Sequence, residues 1–359
     1  MSKYLFVIPT LYVGGAERQV SVLSNTLSKL GQDVCVLKYY PMADEYPISE
    51  KVRVRSFVKG PEEYRKSGLI KRILFIRKVI KEEKPDFVLP FLYQVALAVD
   101  IASVGLKVNV FQSIRNDPTK IPVSDRERKV RDRLVYKSKC SFVQTEPQKQ
   151  YFDKKAHGRI HVLFNPISDE FFKIQHKPSD KEFMFCAAGR LHIQKNFELL
   201  IRSFIRTFDK DQNVTLTIYG EGYLRENLQE LIDSAGYSAK IRLPGRTKDI
   251  KNAYAGANAF VMSSDFEGFP NVLMEAMASG VPSISTNCPT GPSELIDDGQ
   301  NGILVPVNDE NALSEAMKRL YENKELREKF SEAGREKIRE ICSAEKTAKK
   351  FMAICEAGK

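Results

Sequence analysis

Apolar and polar positions along this chain follow the same succession twice. Tyr4 to Ile8 is a short continuous apolar run; Gly14-Gly15 follows it, and then Val20, Leu23, Leu27 and Leu30 recur at steps of three and four. The first pattern predicts a buried strand, the second a helix with one apolar face, and Val34 to Leu37 the returning strand. Phe183 to Ala187 opens the second succession, with Gly189-Arg190 as its loop, a helix carrying Leu200, Phe204 and Phe208, and the alternating strand Val214, Leu216 and Ile218. A strand, a helix and a strand of the same direction need a crossover, so each succession predicts a parallel sheet. Further strands are expected at 241–243, 259–262, 282–285 and 303–305, with helices between them and from Glu310 onward. The run from Val88 to Leu106 contains Pro90, Gln94 and Asp100. It falls short of the roughly 20 apolar residues of a membrane span and reads as a strand plus a buried helix.

A chain of 359 residues exceeds what one core usually serves, and two domains of roughly 150–200 residues are expected. The polar segment from Asn165 to Asp180, bracketed by Pro166 and Pro178, is the expected join. The division is then 1–168, 169–340 and 341–359, the last a helix expected to pack back toward the first domain. Met1 to Pro9 has only Lys3 as a basic residue and breaks at Pro9, which suits a strand rather than a secretory signal. Cysteines at 35, 140, 186, 288, 342 and 355 form no CxxC pair, so neither a disulfide framework nor a zinc site is indicated, and a reducing cytoplasm fits.

Charge changes the picture. Residues 1–170 hold 30 Lys and Arg against 19 Asp and Glu, a net +11, whereas residues 171–359 hold 26 against 27, a net −1. A basic first half attracts an anionic partner: nucleic acid, a phosphate-rich substrate or an anionic membrane surface. Between Tyr64 and Pro85, Arg65, Lys66, Lys71, Arg72, Arg77, Lys78, Lys81 and Lys84 interleave with Leu69, Ile70, Ile73, Leu74, Phe75, Ile76, Val79 and Ile80. That is the pattern of a basic amphipathic helix suited to an anionic leaflet, or of a helix packed on a sheet with solvated cations. A second basic run spans Arg126 to Lys139.

In open parallel sheets, ligands sit beyond the carboxyl ends of the strands. Gly14-Gly15-Ala16-Glu17-Arg18 falls at such an end, and its glycines let backbone amides approach a phosphate or simply make the turn. Gly189-Arg190 with Lys195-Asn196 puts two cations beside a helix start, as a diphosphate requires; solvated surface cations are the alternative. Gly220-Glu221-Gly222 and Gly245-Arg246-Thr247 follow the next two strands and could equally be tight turns. Asp265-Phe266-Glu267-Gly268-Phe269-Pro270-Asn271-Val272-Leu273-Met274-Glu275 places two glutamates eight positions apart across a strand-to-helix junction, with Pro270 suited to the first helical turn.

Together these segments resemble family 4 of the retaining glycosyltransferases, over nearly the whole chain and in the expected order. The resemblance implies an α/β chain of the GT-B fold, two Rossmann-like domains with parallel sheets facing across a cleft. It implies that Arg190 and Lys195 bind the diphosphate of a nucleotide-sugar donor, UDP-linked, as substrate rather than cofactor. Gly189 and Asn196 would belong to that loop, and Glu275 would bind the ribose. Glu267 and the amides around the run Phe269, Pro270, Asn271 and Val272 would hold the donor sugar and β-phosphate. Gly220, Glu221 and Gly222 would line the same side, Arg246 and Thr247 the base, and Gly14 and Gly15 the diphosphate and acceptor from the first domain.

One departure stands out. Many members carry a histidine after a middle strand of the first domain, whereas this chain reads Phe111-Gln112-Ser113-Ile114-Arg115-Asn116-Asp117-Pro118. Arg115 or Asp117 is expected to face the acceptor, or the run makes only a turn. Of the four histidines, His192 alone lies in a motif loop. The one Asp-any-Asp, Asp209-Lys210-Asp211, lies between a helix and a strand start, the wrong end for a metal in the cleft, and no metal is expected. The acceptor implied is a lipid-linked glycan in bacterial surface polysaccharide assembly, with the enzyme cytoplasmic and peripheral on the inner face of the plasma membrane. A nucleotide-sugar epimerase or hydrolase is the same-fold alternative. A dehydrogenase is weakened by the lack of GxGxxG, and a nucleic-acid-binding protein by the lack of any recognisable module; no nucleic acid is expected.

Overall fold

The computed structural model describes every residue except Val13, Asp180, Lys248 and Lys359. The far end of the expected join, Asp180, and the last residue of the C-terminal helical segment therefore lie outside the described residues. The chain forms two compact units, Met1–Ile167 with Cys342–Lys359, and Ser168–Ile341.

In the first unit β1 (Lys3–Ile8), β2 (Asp33–Lys38), β3 (Arg53–Ser56), β4 (Phe87–Pro90) and β5 (Asn109–Val110) form a parallel sheet ordered β3-β2-β1-β4-β5. β6 (Gln112–Ser113), β7 (Ser141–Val143) and β8 (Ile160–Val162) form a second parallel set. Phe111 alone separates β5 from β6. Its N–H bonds the Val88 carbonyl at 3.0 Å, while that of Gln112 bonds the Cys140 carbonyl at 3.2 Å, so one extended segment joins both sets. Both faces of the main sheet are covered, which is why β1 and β2 read as unbroken apolar runs rather than alternating ones. Helix Gly15–Lys29 and the C-terminal helix Ala344–Ala357 cover one face; helices Leu69–Glu83 and Tyr93–Ser103 cover the other. Phe351 of the C-terminal helix is fully buried, 5.2 Å from the ring of Phe142 and 5.6 Å from that of Tyr4. Truncating such a residue to alanine costs about 3–5 kcal/mol, so the last helix is part of this core.

In the second unit β9 (Phe183–Ala188), β10 (Val214–Tyr219), β11 (Ile241–Gly245), β12 (Ala259–Met262), β13 (Ser283–Thr286) and β14 (Ile303–Val305) form a parallel sheet ordered β11-β10-β9-β12-β13-β14. The order reverses between β9 and β12, and at such a reversal the loops leave in opposite directions and open a crevice. In the first unit the reversal lies between β1 and β4. The helix after β4 corrects one expectation: Val95, Ala98, Val99 and Ala102 are buried, but Leu97 and Ile101 face solvent.

Candidate active site

The loop after β9 and the loop after β12 meet at the reversal point of the second unit. Lys195 donates from Nζ to Oε1 of Glu267 at 2.5 Å, with the two side chains 13% and 9% exposed. Ser264 donates to the same oxygen at 2.7 Å, and Thr290 donates to the Glu267 carbonyl. The backbones are tied as well: the Asp265 N–H bonds the Gln194 carbonyl at 2.9 Å, Gln194 Nε2 bonds the Phe266 carbonyl at 2.8 Å, and Ser263 Oγ donates to the Lys195 carbonyl at 2.8 Å. A nearly buried ion pair with each charge further hydrogen-bonded or fixed by its loop keeps one geometry, which an electrostatic site needs.

Arg190 lies in the same loop after β9. It is exposed, and its guanidinium has no partner among the described residues. Asn196, at φ +44°, caps helix Phe197–Thr207 by accepting from the Leu199 N–H at 3.2 Å, and donates to Asp265 at 2.8 Å and Asn308 at 2.7 Å. Its side chain is thereby committed to the loop. His192 accepts from the Gln194 N–H at 3.2 Å and stands edge-on to Tyr223.

Gly189, Gly220 and Gly222 are explained by close approach. A Cβ on Gly220 would overlap the Gly189 carbonyl oxygen and lie 2.9 Å from its carbon; one on Gly222 would overlap the Leu191 carbonyl. One on Gly189 would lie 3.1 Å from the Lys195 stem. The Gly220-Glu221-Gly222 run therefore buttresses the Arg190–Lys195 loop from behind. Glu221 itself pairs with Arg225 at 3.4 Å. Thr247 accepts from the Asp249 N–H at 3.0 Å, and Arg246 is exposed.

Helix Asn271–Ala278 begins after Pro270, which occupies the cap position rather than the first turn and provides no side-chain cap. Its amino end points its first amides, those of Asn271 and Val272, to the carboxyl edge of the sheet. Phe269 and Glu275 are buried. The loop after β13, which the sequence reading passed over, closes this side. Gly291, at φ +99°, would put a Cβ 3.2 Å from the Phe269 Cα, and Thr290 holds Glu267. Its signal was present in Pro289-Thr290-Gly291-Pro292, a strand-end turn opening a helix. Cys288, in this loop, is buried, and burial together with the Glu267 charge pushes its thiol up to about 12, so it is no nucleophile at neutral pH.

In the first unit Gly14 precedes helix Gly15–Lys29 with extended backbone, and the Glu17 carboxylate lies over it; Gly15 is exposed. Arg115 follows β6, its guanidinium 4.6 Å above the ring of Phe91, which follows β4. Asp117 is buried, and its Oδ1 accepts from the N–H and hydroxyl of Thr119 at 2.8 and 2.7 Å, so it makes the turn.

The basic helix is resolved into two functions. Arg72 lies 4.0 Å over the Tyr64 ring and bonds the Ser67 carbonyl at 2.9 Å; Arg77 bonds the Ala102 and Val104 carbonyls at 2.9 and 2.7 Å. Ile76, Val79 and Ile80 are in the core, whereas Ile70 and Leu74 are 73% and 60% exposed. Arg128 and Arg131 of the second run likewise bond loop carbonyls. These four arginines are thus structural.

Solved structures share this architecture, among them two that hold UDP. Staphylococcus aureus TarM, in complex with fondaparinux, alpha-GlcNAc-glycerol and UDP, superposes with TM-score 0.83 at 15% identity, over 99% of this chain and 100% of that one. Anabaena HepE, in complex with UDP and glucose, gives 0.83 at 16%, with the same coverage. The class these define is the GT-B fold. Residues 168–337, nearly all of the second unit, match the family described as glycosyl transferases group 1, and the chain is a glycosyltransferase whose second unit belongs to that group. Over 353 residues, 95% of each chain, it is 28% identical to the GalNAc-alpha-(1->4)-GalNAc-alpha-(1->3)-diNAcBac-PP-undecaprenol alpha-1,4-N-acetyl-D-galactosaminyltransferase of Campylobacter jejuni.

Proposed function

We propose that the protein transfers a hexose or N-acetylhexosamine from a UDP-linked donor, with retention of configuration and without a metal, to a hydroxyl of a lipid-linked glycan in bacterial surface glycan assembly. The observation that carries this is the Lys195–Glu267 pair at the strand reversal, with Arg190, which has no side-chain partner among the described residues, in the same loop. The loop after β9 carries both Arg190 and Lys195, and Lys195 pairs there with Glu267, four residues before helix Asn271–Ala278. As the sugar–phosphate bond stretches, charge gathers on the leaving β-phosphate; Arg190, Lys195 and the Asn271 and Val272 amides stabilise it. Glu267 positions Lys195, and Glu275 accepts from the ribose hydroxyls. The departing phosphate oxygen takes the acceptor proton, so no protein nucleophile is required. The C. jejuni relative, named for an undecaprenol-diphosphate acceptor, and the UDP in both structural neighbours support the choice of substrates.

Incubation with a panel of UDP-sugars and an undecaprenyl-diphosphate glycan, with product anomers read by NMR, tests this. An α product formed in EDTA is expected. A β product, or activity lost on chelation and restored by manganese, overturns the mechanism; release of free sugar without acceptor points to the hydrolase.

Lipid-linked acceptors require access to a membrane, and among the described residues no helix is long and apolar enough to cross one. Peripheral binding is proposed through the outer side of helices Leu69–Glu83 and Tyr93–Ser103. There Ile70, Leu74, Leu97, Ile101 and Val104 are exposed beside Lys71, Lys78, Lys81 and Lys107. Each cation near an anionic leaflet contributes about 1 kcal/mol. Lys71, Lys78 and Lys81 changed together to Glu should abolish co-sedimentation with phosphatidylglycerol vesicles at low salt while leaving the melting temperature unchanged. Arg72 and Arg77 are unsuited to this test because they hold the fold. Equal binding of wild type to neutral vesicles, or no loss in the variant, removes this surface.

A further inference from the structure

Three loops of the first unit leave its carboxyl edge side by side, after β1, β4 and β6, and in the last of them Arg115 lacks the carboxylate partner that Arg131, Arg53 and Arg55 possess; Arg72 and Arg77, which also lack one, bond backbone carbonyls instead. Arg131 has Asp132 at 2.7 Å, and Arg53 and Arg55 share Glu83. Arg115 has only neutral neighbours: Nε donates to Ser113 Oγ at 2.6 Å, Nη1 to Asn165 Oδ1 at 3.2 Å, and the planar group lies over the fully buried Phe91 ring. Asn165 is itself oriented by Gln144, whose Nε2 donates to the same oxygen at 2.7 Å. No carboxylate lies within ion-pair distance among the described residues, and Asp117, two positions on, is turned to Thr119. Desolvation without a countercharge brings Arg115 down to about 10.

A desolvated guanidinium held in one orientation by neutral groups and a ring is costly unless an anion completes it. Its fork matches two oxygens of a phosphate or carboxylate. Leu92, directly after Phe91, has φ +81° and ψ 141°, a conformation sparsely populated for leucine. Such strain persists only where the surroundings enforce it, and it gathers at ligand sites.

We propose that Arg115 is a preformed oxyanion-binding group of the first unit, which takes a phosphoryl group of a substrate diphosphate. That diphosphate is the one of the lipid-diphosphate acceptor; naming it rests on the glycosyl-transfer reading, whereas the anion site does not.

The test uses the full chain and inorganic pyrophosphate as probe, read by thermal shift with and without saturating UDP, in wild type, Arg115→Met and Arg115→Lys. If the anion belongs to the acceptor, pyrophosphate still stabilises UDP-saturated wild type, and Arg115→Met weakens that binding tenfold or more. Pyrophosphate that adds nothing once UDP is bound, with UDP itself weakened tenfold in Arg115→Met, overturns the assignment to the acceptor. Arg115→Lys, which keeps a charge without the fork, falls between and decides the matter should the Met variant not fold. Arg115→Met is expected to melt no lower than wild type, because it leaves no charge to bury. A lowered melting point with pyrophosphate and UDP affinities within twofold of wild type makes Arg115 purely structural and overturns the proposal, as do unchanged affinities in Arg115→Lys. Absence of sugar transfer from every donor would sink the function reading and leave this result standing.

Discussion

Lys195→Ala is expected to lower kcat by roughly 10²–10³, the scale on which one preorganised charge-stabilising group acts. The same change removes the partner of a Glu267 carboxylate that is 9% exposed. A nearly buried charge stripped of its partner destabilises a protein by about 3–5 kcal/mol, so the melting temperature should fall as well. Loss of activity alone would therefore not separate chemistry from folding. The double variant Lys195→Ala with Glu267→Ala does: with both charges gone, much of the stability should return while kcat stays low. Glu267→Gln, which keeps an acceptor for Ser264 and Lys195, should retain the fold and lose less activity than Lys195→Ala. Wild-type kinetic constants in a folded Lys195→Ala protein would show that the diphosphate site lies elsewhere.

Gly220→Ala is expected to be nearly as damaging although the residue carries no chemistry. The added methyl must displace the Gly189 carbonyl, a backbone atom that cannot rotate aside, and the Gly189 N–H is tied to the Tyr219 carbonyl at 2.9 Å. Such overpacking costs about 1–3 kcal/mol or more, and the loop that moves is the one bearing Arg190 and Lys195. Donor affinity and kcat should both fall by at least tenfold. Gly14→Ala is the control: its methyl meets the flexible end of the Glu17 side chain, which can swing away, and its extended backbone is open to any residue. Stability within about 0.5 kcal/mol of wild type is expected there. A Gly220→Ala protein with normal stability and donor affinity would mean that the buttress of the donor loop is dispensable.

The sequence by itself determined the parallel sheets, because a strand covered on both faces must be apolar throughout and a packed helix must repeat at steps of three and four. β9, β12 and β14 are legible in this way, and β10 from the alternation of Val214, Leu216 and Ile218. β3, with Arg53 and Arg55 on an exposed edge, and the two-residue β5 and β6 are not, since so few residues carry no period. The loops at strand ends were also legible, from their glycines and charges.

Tertiary structure decided what those residues do, for partnership is not a local property. Lys195 and Glu267 are 72 positions apart, and only the adjacency of β9 and β12 makes them a pair. Thr290 enters the same site because β13 lies next to β12. Asn196 and Gly220 look in sequence like ligand-binding residues, but their bonds and contacts go to the loop itself. Arg72 and Arg77, two cations among eight in one segment, became props of the fold once Tyr64 and the end of helix Tyr93–Ser103 were beside them. Arg115 shows the converse: composition makes it one more basic residue, and only the packing of Phe91, Ser113 and Asn165 around it reveals a half-buried charge without a counterion among the described residues.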